Sequence, residues 1–63
     1  MFQVIEVIGV SKEGFSQAVE AGVNDVAKTK KNIHFFEVVE QRGGITDGKI
    51  REYQVKIKVA FIE

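Results

Sequence analysis

The stretch that decides the fold is KIREYQVKIKVAFI, which runs from Lys49 to Ile62. From Tyr53 onward its odd positions are apolar or aromatic, while the even positions from Glu52 to Lys58 are polar or charged. This period of two predicts one long β-strand with an apolar face against a helix and a polar face on the other side. In so small a protein, the polar face and the overhanging ends of such a strand need a partner, which predicts association with other copies.

Two further strands are predicted earlier in the chain. The run Phe2–Ile8 is dominated by Phe, Val and Ile, and the run Ile33–Arg42 is rich in β-branched and aromatic residues. The segment Gly43–Gly48 is predicted to be the turn into the last strand. It contains the hairpin dipeptide Asp47-Gly48, but we expect a connection longer than a two-residue turn. The last two strands are therefore expected to be antiparallel neighbours.

The segment between the first two strands predicts one amphipathic helix. Gly9 is expected to end the first strand, and the hydroxyl of Ser11 is expected to cap the helix, with Glu13 near the positive end of its dipole. Apolar residues then recur at steps of three and four: Phe15, Ala18, Val19, Gly22, Val23, Val26 and Ala27. The helix is expected to stop near Lys31, with three lysines in its last turn and Asn32 as a left-handed terminal residue.

These elements predict an α+β fold of the order β-α-β-β, with one helix against a three-stranded antiparallel sheet. Residues 1–63 form a single predicted domain, and a domain of about 60 residues buries only about 60% of the surface that its unfolded chain exposes. The sequence has no cysteine for a disulfide and one histidine, His34, as a neutral metal ligand. Assembly into a homo-oligomer remains as the way to complete the core.

Charge and motifs argue against several classes of protein. Nine basic residues balance nine acidic residues, so no net field attracts the chain to nucleic acid or to an anionic membrane. The apolar runs are shorter than the roughly 20 residues of a membrane helix, and no signal peptide is visible, so we expect a cytoplasmic protein. No nucleophile elbow, phosphate-binding glycine loop or helical pair of metal ligands is present, which argues against an enzyme and a metal centre.

Two consecutive phenylalanines indicate a binding surface. Phe35 and Phe36 lie in the second predicted strand, so their rings point to opposite faces of the sheet and only one can join the core. The other ring either packs against another subunit or offers a flat platform to a planar ligand. Gln54 of the neighbouring strand would then supply an amide that both donates and accepts hydrogen bonds.

Charged side chains could bind two other ligands, calcium and phosphate. Five carboxylates could assemble a site for calcium, although no calcium-binding loop fixes several of their oxygens at once: Glu6, Glu37, Glu40, Asp47 and Glu52. Cross-strand pairing with lysine or arginine accounts for them without a ligand. Lys28, Lys30 and Lys31 could bind phosphate, but a place at the negative end of the helix dipole already explains them.

The sequence reads FFEV from Phe35, EQRG from Glu40 and EYQV from Glu52. These stretches resemble the dodecins, a family of small flavin-binding proteins. The opening VIEVIGVS from Val4 and the closing VAF from Val59 resemble the family as well. Together with length and element order, these matches cover essentially the whole chain.

The resemblance implies a sheet wrapped around the helix and a hollow homododecamer that binds flavins in its subunit interfaces. In flavin-binding dodecins, paired isoalloxazine rings stack on a tryptophan of the second strand, and a glutamine of the third strand hydrogen-bonds the polar edge of the ring. The tryptophan position falls on Phe35, the glutamine is Gln54, and a basic residue near the ligand resembles Arg42. The implied function is storage and sequestering of riboflavin, FMN or FAD, without turnover.

The absence of tryptophan keeps other hypotheses open. Phe35 offers a smaller π-face than an indole and donates electrons less readily, so stacking and quenching should both be weaker, whereas retention of Gln54 favours flavin. Some dodecins without the tryptophan resemble calcium-binding or flavin-independent shells. The alternative is therefore a dodecin-like shell with little flavin affinity that binds calcium or another small ligand. A third hypothesis, binding of single-stranded nucleic acid on the sheet face, is disfavoured by the balanced charge.

Overall fold

The computed structural model describes residues 1–62 of the chain. Four elements follow one another: β1 (Gln3–Ser11), α1 (Phe15–Ala27), β2 (Ile33–Thr46) and β3 (Lys49–Phe61). They form a three-stranded antiparallel sheet of order β1-β3-β2 with one helix, which confirms the predicted α+β fold and β-α-β-β order. At 13 residues α1 is short, and no helix of residues 1–62 is long and apolar enough to cross a membrane.

The core lies between α1 and the C-terminal half of β3, as the alternation of β3 predicts. Val55, Ile57 and Val59 are buried, and they pack in one cluster with Ala18 and Val26 of the helix. Their even-numbered neighbours point away from α1, because successive strand side chains alternate between the two faces. β3 is the central strand, since it pairs with β1 on one side and with β2 on the other.

Strand β1 continues past Gly9, where the sequence predicts that it ends. Gly9 pairs with Val55 and approaches α1 so closely that a Cβ would overlap the carbonyl oxygen of Ala18. This added Cβ would also lie 2.8 Å from the amide nitrogen of Gly22. Glycine is required here by the close approach of helix and strand rather than by a change of element, so the predicted strand end is wrong.

The start of α1 also differs from the prediction. Gly14 is the N-cap, and its carbonyl oxygen accepts a hydrogen bond from the amide of Ala18 at 3.0 Å. Ser11 instead ends β1, and its hydroxyl accepts a hydrogen bond from the amide of Glu13 at 3.0 Å. The predicted Ser11 cap is therefore wrong, and Glu13 precedes the helix rather than lying in its first turn.

The helix ends before the lysines that were expected in its last turn. Lys28 is the C-cap, while Lys30 and Lys31 lie in the link to β2, so the prediction of a lysine-rich last turn is wrong. Lys30 instead places its ammonium group 5.0 Å from the centre of the Phe61 ring. Asn32 does adopt a left-handed conformation, with φ at 57°, but it leads into β2 instead of terminating α1.

The connection between β2 and β3 is tighter than predicted. Gly43 and Gly44 are strand residues of β2, and the connection is the two-residue turn Asp47-Gly48. φ is 53° at Asp47 and 74° at Gly48, which is the pair of positive values that a type I′ hairpin turn requires. The longer predicted turn is wrong, and the hairpin extends beyond the end of β1.

Candidate functional site

The sheet face that points away from α1 carries the residues that the sequence singles out. We call it the open face and define it by the side chains at the even positions of β3 from Glu52 to Ala60 and at their register partners, since partners in register share a face. It comprises Val4, Glu6, Ile8 and Val10 of β1, Phe35, Glu37, Glu40 and Arg42 of β2, and Glu52, Gln54, Lys56, Lys58 and Ala60 of β3. All three predicted site residues therefore lie on this face.

Arg42 and Gln54 form a direct polar pair on the open face. They are register partners, and Arg42 Nε donates a hydrogen bond to Gln54 Oε1 at 2.7 Å. Gln54 Nε2 in turn donates to Glu52 Oε2 at 2.5 Å. Arg42 also forms an ion pair with Glu40, and Glu52 forms one with Arg51, each at 3.5 Å. The amide of Gln54 is thus hydrogen-bonded at both of its ends.

The charges beside Gln54 determine which way its amide points. A guanidinium group can only donate hydrogen bonds, and a carboxylate can only accept them. The atom that faces Arg42 must therefore be the amide oxygen, and the atom that faces Glu52 must be the amide nitrogen. One N–H group and one oxygen lone pair of Gln54 remain available to a ligand.

Phe35 lies toward the other end of the open face in a small aromatic cluster. Its ring packs against Phe2 in a T-shaped arrangement, with 5.2 Å between centroids and 70° between planes. Phe2 also packs against the ring of His34 at 5.4 Å and 75°. Phe35 remains 54% exposed, so its ring is oriented by a neighbour and still accessible to a planar partner.

One chain does not bring Phe35 to the polar pair. Phe35 lies opposite Ala60, whereas Arg42 lies opposite Gln54, which is six positions away along β3. At about 3.3 Å per residue this separation is about 20 Å. The fold of one chain therefore assembles Arg42 with Gln54 and leaves Phe35 apart from them.

Phe36 lies on the helix-facing side of the sheet, opposite to Phe35, and strand alternation predicts that the two rings point to opposite faces. It lines a groove of about 680 Å³ between α1 and β2. The apolar lining of this groove is formed by Phe15, Val19, Val23, Phe36 and Val38. The chain thus has an uncovered apolar surface on each side of its sheet.

Glu52 and Phe2 contribute to the site in ways that sequence reasoning missed. Glu52 was considered only as one of five carboxylates for a cation, although its spacing of two from Gln54 places both side chains on the same face of a strand. That signal was present in the sequence. The contact of Phe2 with Phe35 depends on the pairing of β1 and β2 with β3, and no local pattern reveals it.

The carboxylates considered for a cation are spread over the open face and the hairpin. Glu40 forms an ion pair with Arg42, and Glu37 lies opposite Lys58 in the register of β2 and β3. No group of three or more potential metal ligands comes together among the residues 1–62 that the structure describes.

Known proteins similar to this chain are dodecins. A family model described as Dodecin matches residues 1–63. A curated dodecin from Thermus thermophilus is 36% identical over 61 residues, which are 97% of this chain and 88% of the relative.

Solved structures agree with these matches. The dodecin of Streptomyces coelicolor has a TM-score of 0.95 at 38% identity and covers 100% of this chain and 91% of its own. A Thermus thermophilus dodecin variant with phenylalanine in place of a tryptophan has a TM-score of 0.93 at 38% identity, and the match covers 100% of this chain and 96% of the variant. The calcium-chelating antigen calcium dodecin of Mycobacterium tuberculosis has a TM-score of 0.88 at 30% identity, and the match covers 100% of this chain and 90% of the antigen. This chain belongs to the dodecin family.

Proposed function

We propose that this dodecin stores and sequesters flavin as a hollow homododecamer, without catalytic turnover. The observation that carries the proposal is the Arg42–Gln54 pair, which presents an amide of defined orientation on an open sheet face. One N–H group and one lone pair complement the adjacent carbonyl and N–H of the pyrimidine-like edge of a flavin. Riboflavin, FMN and FAD share this edge, so each is a ligand of the proposed site.

Phe35 is the stacking residue of the proposed site. Its exposed ring supplies a π-face to which an isoalloxazine ring can stack. The Thermus thermophilus variant with phenylalanine in place of a tryptophan retains the fold that this chain shares, which supports phenylalanine as compatible with the dodecin fold. Arg42 helps to close the pocket beside Gln54.

The proposed site lies between copies of the chain. The separation of about 20 Å between Phe35 and Gln54 prevents one copy from both stacking on a flavin ring and reading its edge. A flavin that stacks on Phe35 of one copy would therefore contact Gln54 of another. This arrangement makes flavin binding dependent on assembly.

The surface of the single chain supports assembly. Its accessible area is 4561 Å², whereas a compact monomer of 7.1 kDa exposes about 4,100 Å². Its radius of gyration is 12.7 Å, whereas about 11 Å is expected for 63 compact residues. Large apolar side chains are exposed on the open face, among them Val4, Ile8, Val10 and Phe35.

A fluorescence titration tests the proposal. Addition of the ligand-free protein should quench the emission of riboflavin, FMN or FAD in a saturable manner. Gln54→Ala should weaken binding about tenfold or more, because two hydrogen bonds of about 1 kcal/mol each are lost. Lys58→Ala, on the same face, is the control and should bind as the unaltered protein does. Unchanged emission, confirmed by failure of flavin to co-elute with the protein, would contradict flavin binding.

A calcium-binding shell is the second candidate, because the similar Mycobacterium tuberculosis protein is described as calcium chelating. No three potential ligands converge within residues 1–62 of one chain, so such a site would need carboxylates from several copies. Calorimetric titration with calcium chloride, with magnesium chloride as the control, separates the candidates. Saturable calcium binding without flavin quenching would replace the flavin proposal.

A further inference from the structure

We propose that Glu52 is a positioning residue that sets the amide of Gln54 and thereby restricts the ligand to rings with an unsubstituted imide edge. The proposal rests on the flavin-binding function proposed above. Glu52 itself need not touch the ligand, because it acts through the hydrogen bond that Gln54 Nε2 donates to its carboxylate. Its role would be to prevent rotation of the Gln54 amide by half a turn.

The geometry gives the amide only one stable orientation. Arg42 Nε lies 2.7 Å from Gln54 Oε1 on one side, and Glu52 Oε2 lies 2.5 Å from Gln54 Nε2 on the other. If the amide rotated by half a turn, its N–H groups would face a donor and its oxygen would face an acceptor. Both hydrogen bonds would then be replaced by repulsive contacts, so the rotated state is excluded as long as both partners are present.

The partners of Gln54 are themselves held in place. The Glu52 side chain is 22% exposed and forms an ion pair with Arg51 Nε at 3.5 Å. Arg42 Nη1 forms a corresponding ion pair with Glu40 at 3.5 Å. Charges of opposite sign therefore flank the amide before any ligand arrives. Glu52 is the better shielded of the two partners, since the ion pair of Arg42 with Glu40 is half exposed and adds little.

This arrangement specifies the chemistry of the ligand edge. The remaining N–H of Gln54 requires an acceptor, and the remaining lone pair requires a donor beside it. A cyclic imide offers a carbonyl and an N–H group next to each other, whereas an N-alkylated imide offers no donor. Because the amide cannot rotate, it cannot adapt to the alkylated ring by presenting a different pair of groups.

Titrations of riboflavin and 3-methylriboflavin against the assembled protein test this inference. The unaltered protein should bind the methylated ring about tenfold more weakly, since one hydrogen bond is lost and a lone pair stays unpaired. In Glu52→Gln the partner can both donate and accept, so one of the two restraints on the amide is lost and only Arg42 still opposes its rotation. We expect riboflavin to bind roughly 3- to 10-fold more weakly and the discrimination between the two rings to shrink by a similar factor.

Glu37→Gln is the matched control, because it removes the same charge from the open face, opposite Lys58 and outside the Gln54 network. It should leave both affinities unchanged, and light scattering should show the same mass for all three proteins. Unchanged affinity and discrimination in Glu52→Gln would overturn the role of Glu52, while loss of binding in Gln54→Ala would still support the flavin site. Failure of the unaltered protein to bind riboflavin would overturn both.

A second measurement requires no ligand. The side-chain amide hydrogens of Gln54 should exchange with water more slowly in the unaltered protein than in Glu52→Gln, because the carboxylate holds one of them in a charge-assisted hydrogen bond. Side-chain amide signals in NMR spectra report this exchange. Equal exchange rates in the two proteins would contradict the positioning role of Glu52 even if flavin affinity differed.

Discussion

Phe35 combines an oriented ring with an accessible surface, because Phe2 contacts it from one side and more than half of it remains exposed. At such a position the size of the ring should determine the strength of stacking, since neighbours neither cover the ring nor leave it free to turn. A change in the size of the Phe35 ring is therefore the most direct test of the site.

Phe35→Trp should strengthen flavin binding, because an indole offers a larger π-face and is a better electron donor. A gain of about 0.5–1.5 kcal/mol corresponds to roughly 2- to 12-fold higher affinity, measured by riboflavin fluorescence titration. Phe36→Trp is the matched control, since Phe36 lies on the helix-facing side of the sheet. An equal gain in both variants would argue against Phe35 as the stacking residue.

Gly9→Ala should destabilise the protein by roughly 3 kcal/mol or more, because the new Cβ would overlap the backbone of α1 at Ala18 and Gly22. Urea unfolding at one fixed protein concentration measures the change. Gly44→Ala is the control, since its Cβ would meet side-chain atoms rather than backbone, namely the guanidinium group of Arg51 and Cγ of Glu52. Similar urea midpoints for the two variants would show that the helix can move away from β1 at little cost.

At the scale of elements, the type of each segment was predictable from the sequence and its ends were not. The alternation of β3 and the three- and four-residue steps of α1 are periodic signals that predict a strand and a helix. In the sequence Gly9 is typical of a strand end, but in the structure it is the point where β1 contacts α1. Ser11 looks like a cap, but β1 remains paired with β3 up to this residue, so the helix cannot start there.

The same limit applies to the candidate site. Arg42 and Gln54 were predicted as site residues, and the structure places them together because they are register partners on β2 and β3. Strand periodicity alone places Gln54 and Glu52 on the same face, whereas the hydrogen bond between them is seen only in the structure. The distance of Phe35 from Gln54 required the register of β2 on β3, which no local pattern supplies.

Gly14→Ser should stabilise α1, because the introduced hydroxyl would complete a capping box with Gln17, three residues later. The backbone at Gly14 is extended, so the substitution introduces no strain, and the flexible Gln17 side chain can make room for the Cβ. We expect a gain of a few tenths to about 1 kcal/mol in unfolding free energy from urea titrations. Gly14→Ala adds the same Cβ without a hydroxyl and should be less stable than the original, so the opposite ranking would refute the cap.

At the scale of the whole molecule, the hairpin that projects beyond β1 is the exposed part that most needs a partner. Ile45 and Ile50 are register partners near its tip, and they are 70% and 64% exposed. The chain is 45 Å long and only 14 Å thick, so this tip lies far from the core that could cover it. Contact with another copy would bury apolar side chains worth about 1.5–3 kcal/mol each.

The double substitution Ile45→Thr and Ile50→Thr should therefore weaken assembly. Threonine keeps the β-branched shape that suits a strand and removes much of the apolar gain on burial. Light scattering over a dilution series should show dissociation at protein concentrations where the unaltered assembly is intact. The control with valine at both positions should remain assembled. A threonine variant of unchanged mass at every dilution would exclude the tip from the subunit contacts.

The three register shifts of β2 affect how copies of the chain can add to one another. β1 pairs with β3 without a shift, whereas β2 is irregular near its start, in its middle and near its tip. Bulges bend an edge strand and interrupt its row of unpaired N–H and C=O groups, so a further strand cannot pair along its full length. Growth of the sheet by addition of a further strand is thereby hindered at the β2 edge.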